Sequence, residues 1–208
     1  MNIETGFSRN ILDTRGGRLG VLGMLYLVQG LPFGFQVSAL PIFLREQGVG
    51  LAAIGYSTAL AAPWALKILW APMVERFGGA RGSRVRWIVP LQLGMVAGLI
   101  VASQLSIPDQ LGPLMAVLLA LNALAATQDI AVDGLAVDLL PPNELGLGNA
   151  AQVVGYKVGM LVAGGVLVWT SAWLGWTGAF WVMAGLVAAV AMVASRLDEP
   201  VTQTAAKV

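Results

Sequence analysis

Four charged side chains lie within otherwise apolar stretches of the sequence: Lys67, Asp129, Asp133 and Lys157. A charge inside hydrocarbon is costly, so such residues usually face one another or a polar cavity and mark the path of an ion or substrate. Asp129 and Asp133 are four residues apart, which places both carboxylates on one face of a helix. Carboxylates in this position can take up and release protons, and the lysines can hold an anion.

We therefore predict a proton and substrate path formed by Asp129, Asp133, Lys67 and Lys157. From the ~1.5 Å rise per helical residue, Lys67 and Asp133 lie roughly 10–12 Å from one membrane face, and Asp129 and Lys157 roughly 15–18 Å. All four then share one layer of the membrane. The alternative is a buried ion-pair cluster that only orients helices, although such pairs are weak evidence for stability.

A second candidate feature is the stretch LVQGLPFGFQ. Gly30, Pro32 and Gly34 are expected to interrupt a membrane helix, and Pro32 to kink it. Interrupted helices mark binding sites in transporters, and the amides of Gln29 and Gln36 flank this break, where they could hydrogen-bond a substrate. The alternative is a packing kink, because small residues four apart also let two helices approach closely.

The composition places these residues in a membrane protein. The chain is 57% hydrophobic and 11% charged, with a mean hydropathy of +0.77, whereas an ordinary soluble domain is about 25% charged. Cysteine and histidine are absent, which excludes disulfides, Cys/His metal sites and His-based nucleophile relays. We expect no enzyme activity, no cofactor, no metal and no nucleic-acid partner at a net charge of +1.

The hydropathy pattern predicts an all-α membrane protein, because a helix crosses ~30 Å of hydrocarbon with about 20 mainly apolar residues. A cytoplasmic tail, residues 1–18, precedes a bundle over 19–195, and residues 196–208 form a second tail or the start of a linker. Six spans are predicted, at 19–44, 51–74, 87–106, 112–140, 147–172 and 176–195. Spans 1–3 and 4–6 would form a 3+3 inverted repeat, since an odd number of crossings reverses the second unit, as in one half of a major facilitator carrier.

Basic residues are concentrated on one side of these spans. That side carries Arg9, Arg15, Arg18, Arg76, Arg81, Arg84, Arg86, Arg196 and Lys207, and the other carries Arg45. The positive-inside rule predicts that both termini are cytoplasmic and that the protein lies in a cytoplasmic (inner) membrane. Glu75, Arg76 and Arg84 could also form a cytoplasmic gate whose ion pairs exchange partners; the alternative is that these arginines only set the topology.

Several motifs resemble one family of carriers. The loop APMVERFGGARGSRVR resembles a divergent form of the loop between helices 2 and 3 of major facilitator carriers, with Ala71 or Pro72 in place of the leading glycine. The stretches QGLPFG, LKILWAP, QDIAVDGLAVDLLP and GYKVGMLVAGG are together similar to AmpG-type muropeptide permeases and the related acetyl-coenzyme A transporters. The resemblance covers the chain from about Leu19 to Pro200, and it identifies the N-terminal six-helix half of such a carrier.

The resemblance implies a secondary active transporter, or half of one, that moves a bulky anionic metabolite with protons by alternating access. The site residues that it implies are Lys67, Gln128, Asp129, Asp133, Tyr156 and Lys157. QDIAVDG is closer to the acetyl-coenzyme A branch and GYKVGMLVAGG to the muropeptide branch, so both substrates stay open.

Six helices have no second unit to move against. Besides membrane lipid, the expected partner is therefore a second copy of the chain in a homodimer, or a separate six-helix half. The alternative function is a membrane scaffold without transport, or a relict half that needs a partner chain.

Overall fold

The computed structural model describes residues 11–78 and 84–197. Within these ranges the chain forms helices and connecting turns, with no strand, which confirms the all-α prediction for this part of the molecule. Arg9, Arg81 and Lys207, which contributed to the predicted topology, lie outside the described residues. So do the outer parts of the two predicted tails.

The apolar stretches are built from several helical segments each. The α-helices are α1 (Arg15–Gly34), α2 (Leu40–Glu46), α3 (Leu51–Tyr56), α4 (Ala62–Leu66), α5 (Ala71–Gly78), α6 (Val85–Ser103), α7 (Leu111–Leu139), α8 (Leu145–Leu161) and α9 (Leu167–Ala194). Short 3-10 turns lie at Ile11–Asp13, Ser57–Ala61, Lys67–Leu69 and Pro142–Glu144, and π-helical segments at Phe35–Ala39 and Val162–Val166.

Five continuous stretches in the described residues are long and apolar enough to cross a membrane. They are Arg15–Glu46, Leu51–Leu69, Val85–Ser103, Leu111–Leu139 and Pro142–Ala194. The last has 53 residues, more than twice the ~20 that one crossing of ~30 Å requires. It must therefore contain a reversal of the chain.

The reversal is at Gly175, inside α9. Its φ of 65° lies in the left-handed region, which glycine adopts without steric cost. From there, residues 176–194 return along the bundle. Trp176 donates to Glu46 at the far end of the first span, and Ala194 packs in the same apolar cluster as Leu22 near its beginning. The described residues thus make six crossings, and the last reversal falls between the predicted fifth and sixth spans.

The first span does not break where the sequence predicted. α1 continues through Pro32, and the backbone departs from α-helical geometry only in the π-helical segment Phe35–Ala39. There the amide of Leu40 bonds to the carbonyl of Phe35. Pro32 and Pro41 each lack an amide hydrogen, so the α-helical hydrogen bonding is incomplete on both sides of this segment. The irregularity thus lies several residues after the predicted break at Gly30–Gly34.

α1 and α8 pack backbone to backbone and run in the same direction. A Cβ on Gly155 would lie 2.3 Å from the carbonyl oxygen of Gly23, and a Cβ on Gly30 would lie 2.2 Å from that of Tyr156. Gly34 likewise faces the backbone of α8 one turn further on. Gly30 and Gly34 therefore serve close helix packing, as the alternative interpretation held.

The helix pairs follow the predicted inverted repeat. α1 packs on α8, which pairs the first span with the fifth, and α7 packs on the segments of the second span. In a 3+3 repeat, span 1 is equivalent to span 4 and span 2 to span 5. The contact between spans 1 and 5 is therefore equivalent to the contact between spans 4 and 2. α6 and the returning part of α9, spans 3 and 6, pack on each other and are equivalent in the same way. The 3+3 arrangement is confirmed.

Candidate functional site

The centre of the candidate site is an ion pair between the second and fourth spans. Lys67, in the short 3-10 turn after α4, donates to the carboxylate of Asp129 on α7. The Lys67 side chain is 33% exposed and that of Asp129 is 10% exposed. The ammonium also lies 5.8 Å from the ring centroid of Trp64, within reach of a cation–π interaction. Both residues belong to the predicted layer of four charges, although the depth estimate had placed Lys67 level with Asp133.

Two tryptophans hold Lys67 against α7. Trp64, in α4, and Trp70, directly after the 3-10 turn, lie three residues before and after Lys67, and all three side chains hydrogen-bond to residues of α7. The indole of Trp64 donates to the Asn122 side chain at 3.0 Å, and that of Trp70 donates to Thr127 at 3.1 Å. The irregular winding of the second span therefore has a local consequence, because it aligns the lysine with its acid.

Asp133 has a partner that the sequence did not predict. The phenol of Tyr26, on α1, donates to the carboxylate of Asp133 at 2.6 Å. Tyr26 is only 2% exposed, and it is one of the largest buried side chains of the bundle. A tyrosine in an apolar span is usually interpreted as a packing residue. The feature of Tyr26 that could have indicated this contact is its hydroxyl, which needs a hydrogen-bond partner when it is buried.

A cleft of about 250 Å³ opens beside these residues. It is lined by Tyr26, Trp64, Asp129, Gln152, Val153, Tyr156 and Lys157. Tyr156 and Lys157 were predicted to face the site. Lys157 is exposed and forms no ion pair with any residue of 11–78 or 84–197. Within those ranges, no three acidic side chains form a cluster that could hold a metal ion.

Gln29 and Gln128 lie away from the cleft. Both are 0% exposed, in the interior of the bundle, and neither lines the cleft. Their side-chain amides have no hydrogen-bond partner among the described residues. Gln36, the other glutamine of the first span, donates to the carbonyl of Ser57 at 3.4 Å. The predicted substrate contacts of Gln29 and Gln128 therefore have no support in the geometry.

The predicted gate residues lie at the basic end of the bundle. Arg84, before α6, is buried and pairs with Asp138 at 3.1 Å and with Glu75 at 3.8 Å. Arg76 is exposed and forms no ion pair within the described part of the chain. A Cβ on Gly134 would lie 2.4 Å from the guanidinium carbon of Arg84, so this arginine rests directly on α7. The exchange of partners stays a prediction, and Asp138 is an addition to the predicted set.

A second ion pair at this end was not predicted. Arg18 of α1 donates from Nε and Nη2 to both carboxylate oxygens of Glu144, at 2.8–3.2 Å. Its Nη1 also donates to the carbonyls of Leu12 and Asp13, at 3.1 and 3.3 Å. The pair ties the start of the first span to the turn before α8. The sequence feature that could have indicated this pair is Glu144 itself, an acid between the predicted fourth and fifth spans on the arginine-rich side.

Comparison with known proteins identifies the family. The profile of the Major Facilitator Superfamily matches residues 22–207. The anhydromuropeptide permease of Escherichia coli K12 is 32% identical over 176 residues, which are 82% of this chain and 35% of that protein. An uncharacterized protein of Haemophilus influenzae is 31% identical over 173 residues, which are 82% of this chain and 41% of that protein.

A third relative is named putative transporter AmpG 4, from Rickettsia felis. It is 32% identical over 151 residues, which are 71% of this chain and 36% of that protein. The chain belongs to the Major Facilitator Superfamily and is an integral membrane protein. It covers between 35% and 41% of the length of these three relatives.

Proposed function

We propose that this chain is a secondary active transporter, or one half of one, that moves a bulky anionic metabolite together with protons by alternating access. The observation that carries the proposal is the Lys67–Asp129 ion pair beside a cleft in an otherwise apolar bundle. Charged side chains at such depth are expensive unless a polar cavity faces them, and they mark ion and substrate paths.

The charges of the cleft suit an anionic substrate. Lys157 lies on α8 and has no acidic partner in the described residues, so its ammonium is available to a carboxylate or phosphate. A proton on Asp129 or Asp133 would balance the negative charge that the substrate brings into the cleft.

Two substrate classes are candidates. The E. coli relative is named for anhydromuropeptide, and the sequence motifs are also similar to those of acetyl-coenzyme A transporters. Both molecules are large and carry anionic groups. Three aromatic side chains, Tyr26, Trp64 and Tyr156, also line the cleft.

The size of the cleft supports a second helical unit. Its volume of about 250 Å³ is below the ~300–1,000 Å³ of pockets that enclose a drug-sized ligand. On α8, Val154 and Leu161 are 61% and 70% exposed, so the side of α8 away from α1 is not covered by the bundle. A second copy of the chain, or a different six-helix half, would complete the site there.

The test is uptake into vesicles reconstituted with the purified protein, alone and coexpressed with a candidate second half. Labelled anhydromuropeptide and acetyl-coenzyme A are offered with and without an inward proton gradient. We expect saturable, gradient-driven uptake of one of them by the wild type, and none by Asp129→Asn.

Asp109→Asn is the matched control, because Asp109 is an exposed acid in the turn before α7. It should transport like the wild type. The proposal would be contradicted if the folded protein took up neither substrate, both alone and together with the candidate second half. That result would favour the scaffold alternative.

A further inference from the structure

The two acids of the site have partners of different kinds. Asp129 accepts from the ammonium of Lys67, which carries a full positive charge. Asp133, one helical turn away, accepts from the neutral phenol of Tyr26 at 2.6 Å. An ammonium cancels the charge of its carboxylate, whereas a phenol only hydrogen-bonds to it. The environments of two side chains of the same type are thus unequal.

A proton therefore has different consequences at the two positions. On Asp129, it would break the ion pair and leave Lys67 without a counter-charge. On Asp133, it would leave that pair intact and remove the one negative charge that Lys67 does not match. The Tyr26 hydroxyl both donates and accepts, so it can bond to either form of Asp133 without moving away.

Within residues 11–78 and 84–197, no ion pair joins Asp133 to a lysine or an arginine. Among the described residues, the other charged or titratable groups facing this region are Tyr156 and Lys157 on α8 and Arg84 before α6. Arg84 is matched by Asp138 and Glu75. Lys157 lines the cleft beside Asp129, where the proposed substrate anion binds.

We infer that the two aspartates have separate tasks: Asp133 takes up and releases the transported proton, and Asp129 stays ionised and holds Lys67. Tyr26 is a positioning residue that fixes the carboxyl group of Asp133. The proton passes from water to one carboxylate oxygen of Asp133 and later returns to water, with no other bond made or broken. This assignment rests on the proposed transport function and deepens it.

The experiment follows the carbonyl stretch of protonated carboxyl groups by infrared difference spectroscopy, during a pH titration of the purified protein in lipid vesicles. No substrate is required. The contribution of each acid is obtained by subtracting the spectrum of its variant from that of the wild type. We expect Asp133→Asn to lose a protonated band that Asp129→Asn and the control Asp109→Asn retain. Tyr26→Phe should keep the band and shift its frequency, because the hydrogen bond to the carboxyl group is gone.

Asp133→Glu keeps an acid at this position and should restore the band, so poor folding of Asp133→Asn alone does not decide the result. A band that disappears in Asp129→Asn but persists in Asp133→Asn would overturn the inference. So would loss in both variants, which indicates a shared proton, or no change in either. Absence of uptake by the wild type would contradict the transport proposal alone, because the infrared result does not depend on it.

Discussion

Gly30 of α1 lies so close to Tyr156 of α8 that a Cβ on the glycine would be 2.2 Å from the tyrosine carbonyl oxygen. The neighbouring atom belongs to a backbone, which cannot rotate away as a side chain can. We expect Gly30→Ala to force the two helices apart and to lower the free energy of unfolding by about 1–3 kcal/mol. Denaturant unfolding in detergent micelles, followed by circular dichroism, measures the change.

Gly20→Ala is the matched control for that substitution. Gly20 lies in the same helix, and a Cβ there would meet nothing within 4 Å. Alanine has a higher helix propensity than glycine, so this variant should be unchanged or more stable by up to about 1 kcal/mol. Equal losses in the two variants would show that the crossing of α1 and α8 does not require the glycine.

The Arg18–Glu144 pair provides a second prediction. The side chains of Arg18 and Glu144 are only 17% and 10% exposed. Nε and Nη2 of Arg18 donate to the two carboxylate oxygens of Glu144. Arg18→Met should destabilise the bundle by about 3 kcal/mol or more, because the Glu144 carboxylate stays partly buried without its partner. Arg15→Met, an exposed arginine three residues earlier, should change stability by less than about 0.5 kcal/mol.

Joint replacement separates the pair from its parts. Arg18→Met combined with Glu144→Gln removes both charges, so it should lose less stability than Arg18→Met alone, with a coupling energy of about 0.5–3 kcal/mol. Unfolding of the four proteins of this double-mutant cycle gives that energy. Simple additivity of the two single effects would contradict the role of the pair in joining α1 to the turn before α8.

The sequence was sufficient to predict the architecture, because the hydropathy of each stretch depends only on its residue types and not on how the helices pack. The predicted spans agree with the helices to within a few residues at most ends, and the reversal at Gly175 falls between the predicted fifth and sixth spans. The grouping of Lys67 with Asp129, Asp133 and Lys157 followed from the sequence, because charges in a membrane are costly unless they face one another or a polar cavity. Which acid Lys67 contacts did not follow from it, since the depth estimate placed Lys67 level with Asp133 and the structure pairs it with Asp129.

Helix rotation and local winding were beyond the sequence pattern. Hydropathy and residue spacing could not show that Gln29 and Gln128 face the interior. They also could not show that the hydroxyl of Tyr26 reaches Asp133 on another helix. The 3-10 turn at Lys67–Leu69, which aligns Lys67 with α7, leaves no clear mark in hydropathy. These features depend on how neighbouring helices pack, and that is a property of the whole bundle.

The two tryptophans beside Lys67 should differ in importance. Trp64→Phe removes the donor to Asn122, a side chain that is 2% exposed, so its oxygen would lose its partner at a cost of about 1–3 kcal/mol. Trp70→Phe should cost about 0.5–1.5 kcal/mol, because Thr127 keeps its own bond to a backbone carbonyl. Denaturant unfolding of both variants checks the order, and a larger loss from Trp70→Phe would contradict it.

Membrane orientation can be tested with matched cysteines, because the chain contains none of its own. Ser106 lies in the turn before α7 and Ser195 directly follows α9, and both are exposed. The distribution of arginines predicts that Ser195 is cytoplasmic and Ser106 is on the opposite side. A membrane-impermeant thiol reagent added to intact cells should label Ser106→Cys and leave Ser195→Cys unlabelled until the cells are opened. The reverse pattern would invert the proposed topology.

The Lys67–Asp129 pair allows the structural and functional interpretations to be separated. Lys67→Met or Asp129→Leu alone leaves one charge without its partner, which costs up to about 3–5 kcal/mol for a fully buried pair and less here, since Lys67 is 33% exposed. The joint variant removes both charges, so it should regain most of the lost stability, because apolar residues can replace a buried ion pair with little or no penalty.

Transport should not be regained with that stability. If the charges of Lys67 and Asp129 are needed in the path, the joint variant should be folded and inserted in the membrane but inactive in gradient-driven uptake. The expected loss is at least about tenfold, or ~1.4 kcal/mol in transition-state terms. Denaturant unfolding and vesicle uptake on the same preparations give the two quantities together. A joint variant that transports like the wild type would mean that the pair only orients the second span against α7, because its charges would then have no part in the path of substrate or proton.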